Sequence, residues 1–253
     1  MGYADKLRGK KIVVIGGTSG KTYRIGYGAA AALLDVGASV TVISSSPARV
    51  QEALRRFDNA RANGLVVDVH DEDAVVTALQ SLAPIDHVVF SAVDNIIRGK
   101  LEDLELDDAK QLFGVKFWGA VIVGKALAKY NLVRQGGSLT LTSGTAGIKP
   151  GKGAAVGGAL NGGVLSLTKG LASELVDKKI RVNTVVPGLV QTPLWDKQGK
   201  TKEEQKEIFD KGSGSLPVGF VATPEHIAEA YLYAVRADYA NGTLIEIDGG
   251  YLL

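Results

Sequence analysis

No cysteine occurs among the 253 residues. Disulfides, thiolate metal sites and cysteine nucleophiles are thereby excluded, and a reducing compartment is the natural expectation. Histidine is nearly as scarce: His70, His87 and His226 are the three present, with no H-x-x-x-H spacing, which argues against a histidine-based metal centre. Neither sign of charge dominates, since 29 lysines and arginines stand against 27 acids and the formal net charge is +2. The basic residues are spread along the chain, which is not the footprint of a nucleic-acid binder. No uninterrupted apolar run reaches membrane-spanning length and the opening MGYADKLRGKK has no apolar signal core, so a soluble, cytosolic protein is expected. Repeats, low-complexity tracts and linkers are also missing, and one domain over residues 1–253 is the expectation.

Glycine, by contrast, is abundant, and its densest use organises the chain. In residues 11–28, KIVVIGGTSGKTYRIGYG, an apolar run enters a glycine-rich turn, and the alanines and leucines of 29–34 leave it with the composition of a buried helix. Strand, phosphate loop and helix in that order make a dinucleotide site: glycines admit positive φ and close backbone approach, and the helix N-terminus stabilises a pyrophosphate. The alternative is a purely structural glycine turn. The loop residues Gly16, Thr18, Ser19, Gly20, Lys21, Arg24, Ile25 and Gly26 are the first candidate cofactor contacts.

A second strand is expected over 39–43 because β-branched residues concentrate there. Where an acid at its end would bond the ribose 2′-OH of NAD, Ser44, Ser45 and Ser46 stand with Arg49 following, a set that accommodates a 2′-phosphate. Lys21 and Arg24 add positive charge nearby, so NADP(H) is the favoured cofactor. The plainer reading is that the serines cap the helix beginning near Pro47 and that Arg49 is a solvated surface residue. Strands follow at 64–68, 87–91, 138–142, 180–186 and 243–248, alternating with helices at 72–82, capped by Asp71, and at 106–134, 164–175 and 224–237. This alternation predicts an α/β fold with a parallel, doubly wound sheet, its ligand lying across the carboxyl ends of the strands. Asp68 at one strand end is a candidate contact for the adenine amino group, or a turn residue. The polar segment 189–218, with one short helix over 202–211, reads as a lid over a substrate pocket.

The loop Gly16-Gly17-Thr18-Ser19-Gly20 continuing at Ile25-Gly26, with Val67-Asp68-Val69, Arg181-Val182-Asn183, Pro187-Gly188 followed by Thr192-Pro193, and Asp248-Gly249-Gly250, resembles the short-chain dehydrogenase/reductase family over essentially the whole chain. The resemblance implies a seven-stranded Rossmann sheet, a nicotinamide cofactor and a homodimer or homotetramer. It also adds Val69, Ser91, Ala92, Pro187, Gly188, Val190 and Thr192 to the cofactor contacts, and a small molecule as substrate. Two departures stand out. Lys21-Thr22-Tyr23-Arg24 is interposed in the glycine loop. And the family's Tyr-x-x-x-Lys pair is missing, since none of the eight tyrosines is followed by lysine four residues later. By the family's spacing Gly157 occupies the tyrosine position, Asn161 the lysine position, Gly144 with Ser143 beside it the serine position, and Lys116 the asparagine position.

Reducing a ketone leaves an alkoxide that must be protonated as it forms. Reducing an iminium carbon neutralises a cation and needs no proton in that step, so a site without the phenol suits C=N better than C=O. A cationic substrate calls for an anion or π face, for which Asp94, Asp196 and Trp195 are candidates; the plainer alternative is that Asp94 caps a turn, Asp196 is solvated and Trp195 packs the lid. Asn161 and Ser143 are candidates for orienting substrate or cofactor, and Lys116 either replaces some of the lost positive charge or snorkels to solvent from its helix. The segment 142–147 and the Pro193-Leu194-Trp195 run are similar to a divergent branch of the family found in bacteria and in fungal secondary metabolism, some of whose members reduce intermediates of indole alkaloid pathways and shape a following cycloaddition. Three readings stay open: an NADPH-dependent reductase of a preactivated natural-product intermediate, a non-redox cyclase or isomerase on the same scaffold, and an inactive nucleotide-binding protein.

Overall fold

The computed structural model describes residues 6–18, 24–94, 99–192, 195 and 200–253. Seven strands form one parallel sheet in the order β3-β2-β1-β4-β5-β6-β7. They are β1 (Lys11–Ile15), β2 (Ser39–Ser44), β3 (Ala62–Val66), β4 (Ile85–Phe90), β5 (Val133–Thr142), β6 (Arg181–Pro187) and β7 (Leu244–Ile247). The order reverses between β1 and β4, which opens a crevice at their carboxyl ends, the place where such sheets take ligands. The expected doubly wound Rossmann sheet is the architecture found.

Helices cover both faces: α1 (Ile25–Asp35), α2 (Pro47–Phe57), α3 (Glu72–Leu82), α4 (Leu106–Phe113), α5 (Ala120–Lys129), α6 (Ala155–Glu174), α7 (Lys202–Ser215) and α8 (Pro224–Arg236). One face buries Val13, Ile15, Val88, Leu139 and Leu141 under α3, α5 and α6. The other buries Val14, Val40, Val42 and Val185 under α1 and α8. Residues of the central strands are buried on both faces, so the strands read as continuous apolar runs rather than alternating ones. The Arg181-Val182-Asn183 motif holds one edge: the Arg181 guanidinium donates to the carbonyls of Ala234, Val235 and Ala240 beyond and at the end of α8, and Asn183 bridges Ala240 and Thr243.

Three elements depart from the sequence expectation. The helix expected over 106–134 is interrupted by a π turn at Gly114–Gly119, ends at Lys129, and gives way to β5 five residues before the expected strand start at 138. Gly136, at φ 82°, and Gly137 lie inside β5 where the pairing with β4 shifts register, so they make a bulge instead of ending the segment. The combined run 106–129 is long and apolar enough to cross a membrane, yet its α5 part buries Ala120, Val123, Ala126 and Leu127 in the core, and the run carries charge at Asp107, Asp108, Lys110, Lys116, Lys125 and Lys129. Helix α6 starts at Ala155, not 164, because its glycines are packing devices: a Cβ on Gly158 would lie 2.8 Å from Pro150, and one on Gly163 3.1 Å from the Phe117 ring. Close contact outweighs the poor helix propensity of glycine. Helix α7 likewise runs four residues past 211, through Gly212, whose missing side chain admits Leu189.

Candidate active site

Parallel register sets three strand ends level, Ile15 pairing with Ile43 on one side and Phe90 on the other. Gly16, Ser44 and Ser91, the residues at or just past those ends, therefore meet along one wall of a cleft of about 700 Å³, within the range of ligand sites. Gly16 is held at φ +86°, and a Cβ there would sit 2.5 Å from the Ala92 nitrogen. A Cβ on Gly26 would collide with the Ser91 hydroxyl and the Gly16 carbonyl. These are close backbone approaches that only glycine permits. Thr18, Ile25 and Gly26 line the cleft at the N-terminus of α1, whose first turn carries no acid and whose N-cap, Arg24, makes no side-chain cap bond. Such an end is built to receive an anion.

Charge tests the same fit. Arg24 is half-buried and its Nε has no partner among the described residues. Burial, and then the facing charge of Arg49, holds its pKa below the ordinary guanidinium value. An anion seated against both would relieve the desolvation and the repulsion together, so these residues fit a phosphate. Ser44, Ser45 and Arg49 line this part of the cleft. Ser46 does not: its hydroxyl accepts from the Arg49 backbone nitrogen at 3.3 Å and caps α2 ahead of Pro47, so the capping alternative holds for that serine. Ser19, Gly20 and Lys21 lie outside the described residues.

Asp68 and Val69 line the adjacent wall. The Asp68 carboxylate accepts from the His70 backbone at 3.0 Å and lies 2.9 Å from its Nδ1, and these bonds hold its pKa below the ordinary carboxylate value. The far nitrogen of His70 stands 3.6 Å from Asp94. Asp94 thus joins His70 and Asp68 in one rim cluster. Ser91 and Ala92 complete this side, while Pro187, Gly188, Val190 and Thr192 bring the end of β6 into the same cleft.

The residues that the family's spacing assigns to catalytic positions converge as well. The π turn carries Lys116 into the cleft, where its ammonium donates to the Asn161 side-chain oxygen at 2.7 Å and to the Ser143 carbonyl at 3.0 Å. Asn161 donates in turn to the Gly157 carbonyl at 2.7 Å, one turn earlier on α6. The Ser143 hydroxyl donates to the Asn161 backbone carbonyl at 2.9 Å. Ser143 is buried and its hydroxyl is committed to this bond, so it braces β5 against α6. Burial lowers the Lys116 pKa to about 8. The site therefore has an ammonium, delivered from the helix opposite the one where the family keeps its lysine.

No described tyrosine replaces the missing phenol at Gly157. Tyr231 is wholly buried, 2.6 Å from the Thr142 hydroxyl, with its pKa raised by burial. Tyr251 does line the cleft, at its rim, because Asp248 accepts from the Gly250 and Leu252 nitrogens and turns the chain back, setting the Tyr251 ring 5.7 Å from the Lys149 ammonium. Trp195 lines the cleft too, its indole donating to the Val190 carbonyl at 3.0 Å and meeting Phe209 of α7 edge-on at 5.8 Å. Asp196 lies outside the described residues. His70, Lys149, Lys152 and Tyr251 are cleft residues that sequence reasoning missed. The Asp68-x-His70 spacing was a legible signal; the others depend on how loops fold back.

Comparison with known proteins agrees with this geometry. The model of an SDR-like Rossmann domain matches residues 3–253. The chain is 31% identical to the short-chain dehydrogenase/reductase fsr5 of Gibberella fujikuroi, over 99% of this chain and 97% of that protein. The structure of the MalC reductase/Diels-Alderase from Malbranchea aurantiaca superposes with a TM-score of 0.86 at 31% identity, covering 99% of each chain. A small-chain dehydrogenase solved in complex with NADPH superposes with a TM-score of 0.76 at 32% identity, covering 96% of this chain and 98% of that one. The chain belongs to the short-chain dehydrogenase/reductase family of oxidoreductases.

Proposed function

We propose that the protein is an NADPH-dependent reductase that acts on a preactivated C=N bond, imine or iminium, of a multicyclic natural-product intermediate, and that cyclisation of the product is coupled to that step. When bound, the cofactor supplies hydride. The observation that carries the reading is Gly157: the position to which the family's spacing assigns its proton-delivering tyrosine has no side chain, and the one described tyrosine that lines the cleft, Tyr251, stands at its rim. A C=N acceptor does not need that phenol: hydride addition to an iminium carbon leaves a neutral amine, and an imine nitrogen, far more basic than a carbonyl oxygen, can take its proton from an ammonium elsewhere in the cleft.

In this reading Arg24, Arg49, Ser44 and Ser45 hold the 2′-phosphate, Gly16 and the α1 N-terminus receive the pyrophosphate, and Asp68 and Asp94 contact the adenosine and the nicotinamide ribose. Asn161 orients the acceptor above Lys116. The segment 189–218 forms a lid, with Trp195 presenting its face to the substrate and α7 excluding water. The relatives support this: one is named a reductase/Diels-Alderase and another holds NADPH. The test is NADPH consumption by the purified protein with a cyclic imine, its N-methyl iminium salt and the ketone of matched shape. Faster turnover of C=N compounds is expected, and ketone turnover at a comparable rate refutes the reading.

A further inference from the structure

We propose that Lys116 is the proton donor of this site, and that the substrate enters as a neutral imine which Lys116 protonates as hydride reaches the carbon. The inference rests on the C=N reading above and goes beyond it by naming the protonation state of the substrate and the residue that changes it.

An ammonium has three N–H bonds. Lys116 uses one on Asn161 and one on the Ser143 carbonyl, and the side chain lines the same cleft as Gly157, where the family's acid would stand. Among the described residues no carboxylate pairs with Lys116. Asp94, on the same cleft, faces His70, and the other cations toward this region, Lys149 and Lys152, are of the same sign. Beside Lys116 a permanently charged iminium meets a like charge with which no described carboxylate is paired. A neutral imine meets a donor instead. Lone-pair oxygens of Asn161 and Ser143 hold the ammonium in place but do not neutralise it, and its burial eases loss of the proton.

The balance is simple. One Nζ–H bond of Lys116 breaks and an N–H bond forms on the imine nitrogen; hydride adds to the carbon while the C=N π pair becomes the nitrogen lone pair. The product is a neutral amine, the cofactor is oxidised, and neutral Lys116 recovers a proton from water. Positioned acids of this kind contribute about 100-fold or more in rate.

The experiment compares wild type, Lys116→Met and Lys116→Arg on a cyclic imine and on its N-methyl iminium salt. Imine turnover is expected to fall about 100-fold in both variants, because arginine keeps the charge but does not release a proton at these pH values. Turnover of the iminium salt, which needs no proton, is expected to fall far less than imine turnover in Lys116→Met. Equal losses on both substrates, or undiminished imine turnover, overturn the proposal. If the wild type reduces no C=N compound, the C=N reading fails and the proposal with it; C=N turnover that Lys116→Met leaves undiminished overturns the proposal alone.

Discussion

Arg24 offers the sharpest test of cofactor choice. Replacing it by methionine keeps the stem that packs at the start of α1 and removes the guanidinium whose Nε is orphaned beside Arg49. A hydrogen bond to a charged group is worth about 1.5–3 kcal/mol, and the half-exposure of Arg24 favours the middle of that range, about 2 kcal/mol. The NADPH dissociation constant is then expected to rise about 30-fold. NADH lacks the 2′-phosphate, so its affinity is expected to stay within about threefold. Nicotinamide fluorescence titration of both cofactors reads the ratio directly. The apoprotein should be no less stable in thermal melts, since the substitution removes a desolvated cation next to a like charge, while the NADPH-induced rise in Tm shrinks. Equal weakening of NADPH and NADH refutes the phosphate assignment and makes Arg24 a prop for the loop.

Three further outcomes follow from the geometry. Gly16→Ala forces a Cβ to within 2.5 Å of the Ala92 nitrogen at φ +86°, so both cofactors are expected to lose binding and the urea midpoint to fall by the equivalent of about 2 kcal/mol. His87 is buried with Nδ1 2.9 Å from the Ser138 hydroxyl, and burial lowers its pKa to about 4. Because the folded value lies below the unfolded value of 6.5, this contribution is complete above pH 6.5 and is lost as the pH falls toward 4. Urea denaturation across that window should show a loss on the order of 3 kcal/mol, and His87→Gln should flatten it. Trp195→Ala removes the contact with Phe209 and the bond to Val190, which on the lid reading raises KM about tenfold while NADPH affinity stays unchanged; an unchanged KM removes Trp195 from the substrate site.

What the sequence made legible was local. Asp71 and the helix Glu72–Leu82 were readable to the residue because the cap and the periodicity coincide, and Asp71 does accept from the Ala74 nitrogen at 2.9 Å. The glycine loop was readable because strand, turn and helix are contiguous. Elements whose reasons are tertiary were not: α6 runs through glycines that a propensity argument rejects, and Gly136-Gly137 bends a strand that a turn argument ends. The site divides the same way. Family spacing located Lys116 and Asn161 separately, but their 2.7 Å bond joins residues 45 apart in sequence and depends on the π turn aiming Lys116 inward. Tyr251 reaches the cleft only through the Asp248 turn.

The central claim is that hydride passes to a carbon of a C=N bond in this cleft. The most direct measurement incubates the protein with NADPH deuterated at the transferable position and a cyclic imine, then locates deuterium in the product by NMR. One deuterium on the former imine carbon, at a single face and in step with NADP+ formed, is the expected result. Product formed without NADPH consumption, or without deuterium at that carbon, contradicts the account and leaves the fold as a scaffold for non-redox chemistry.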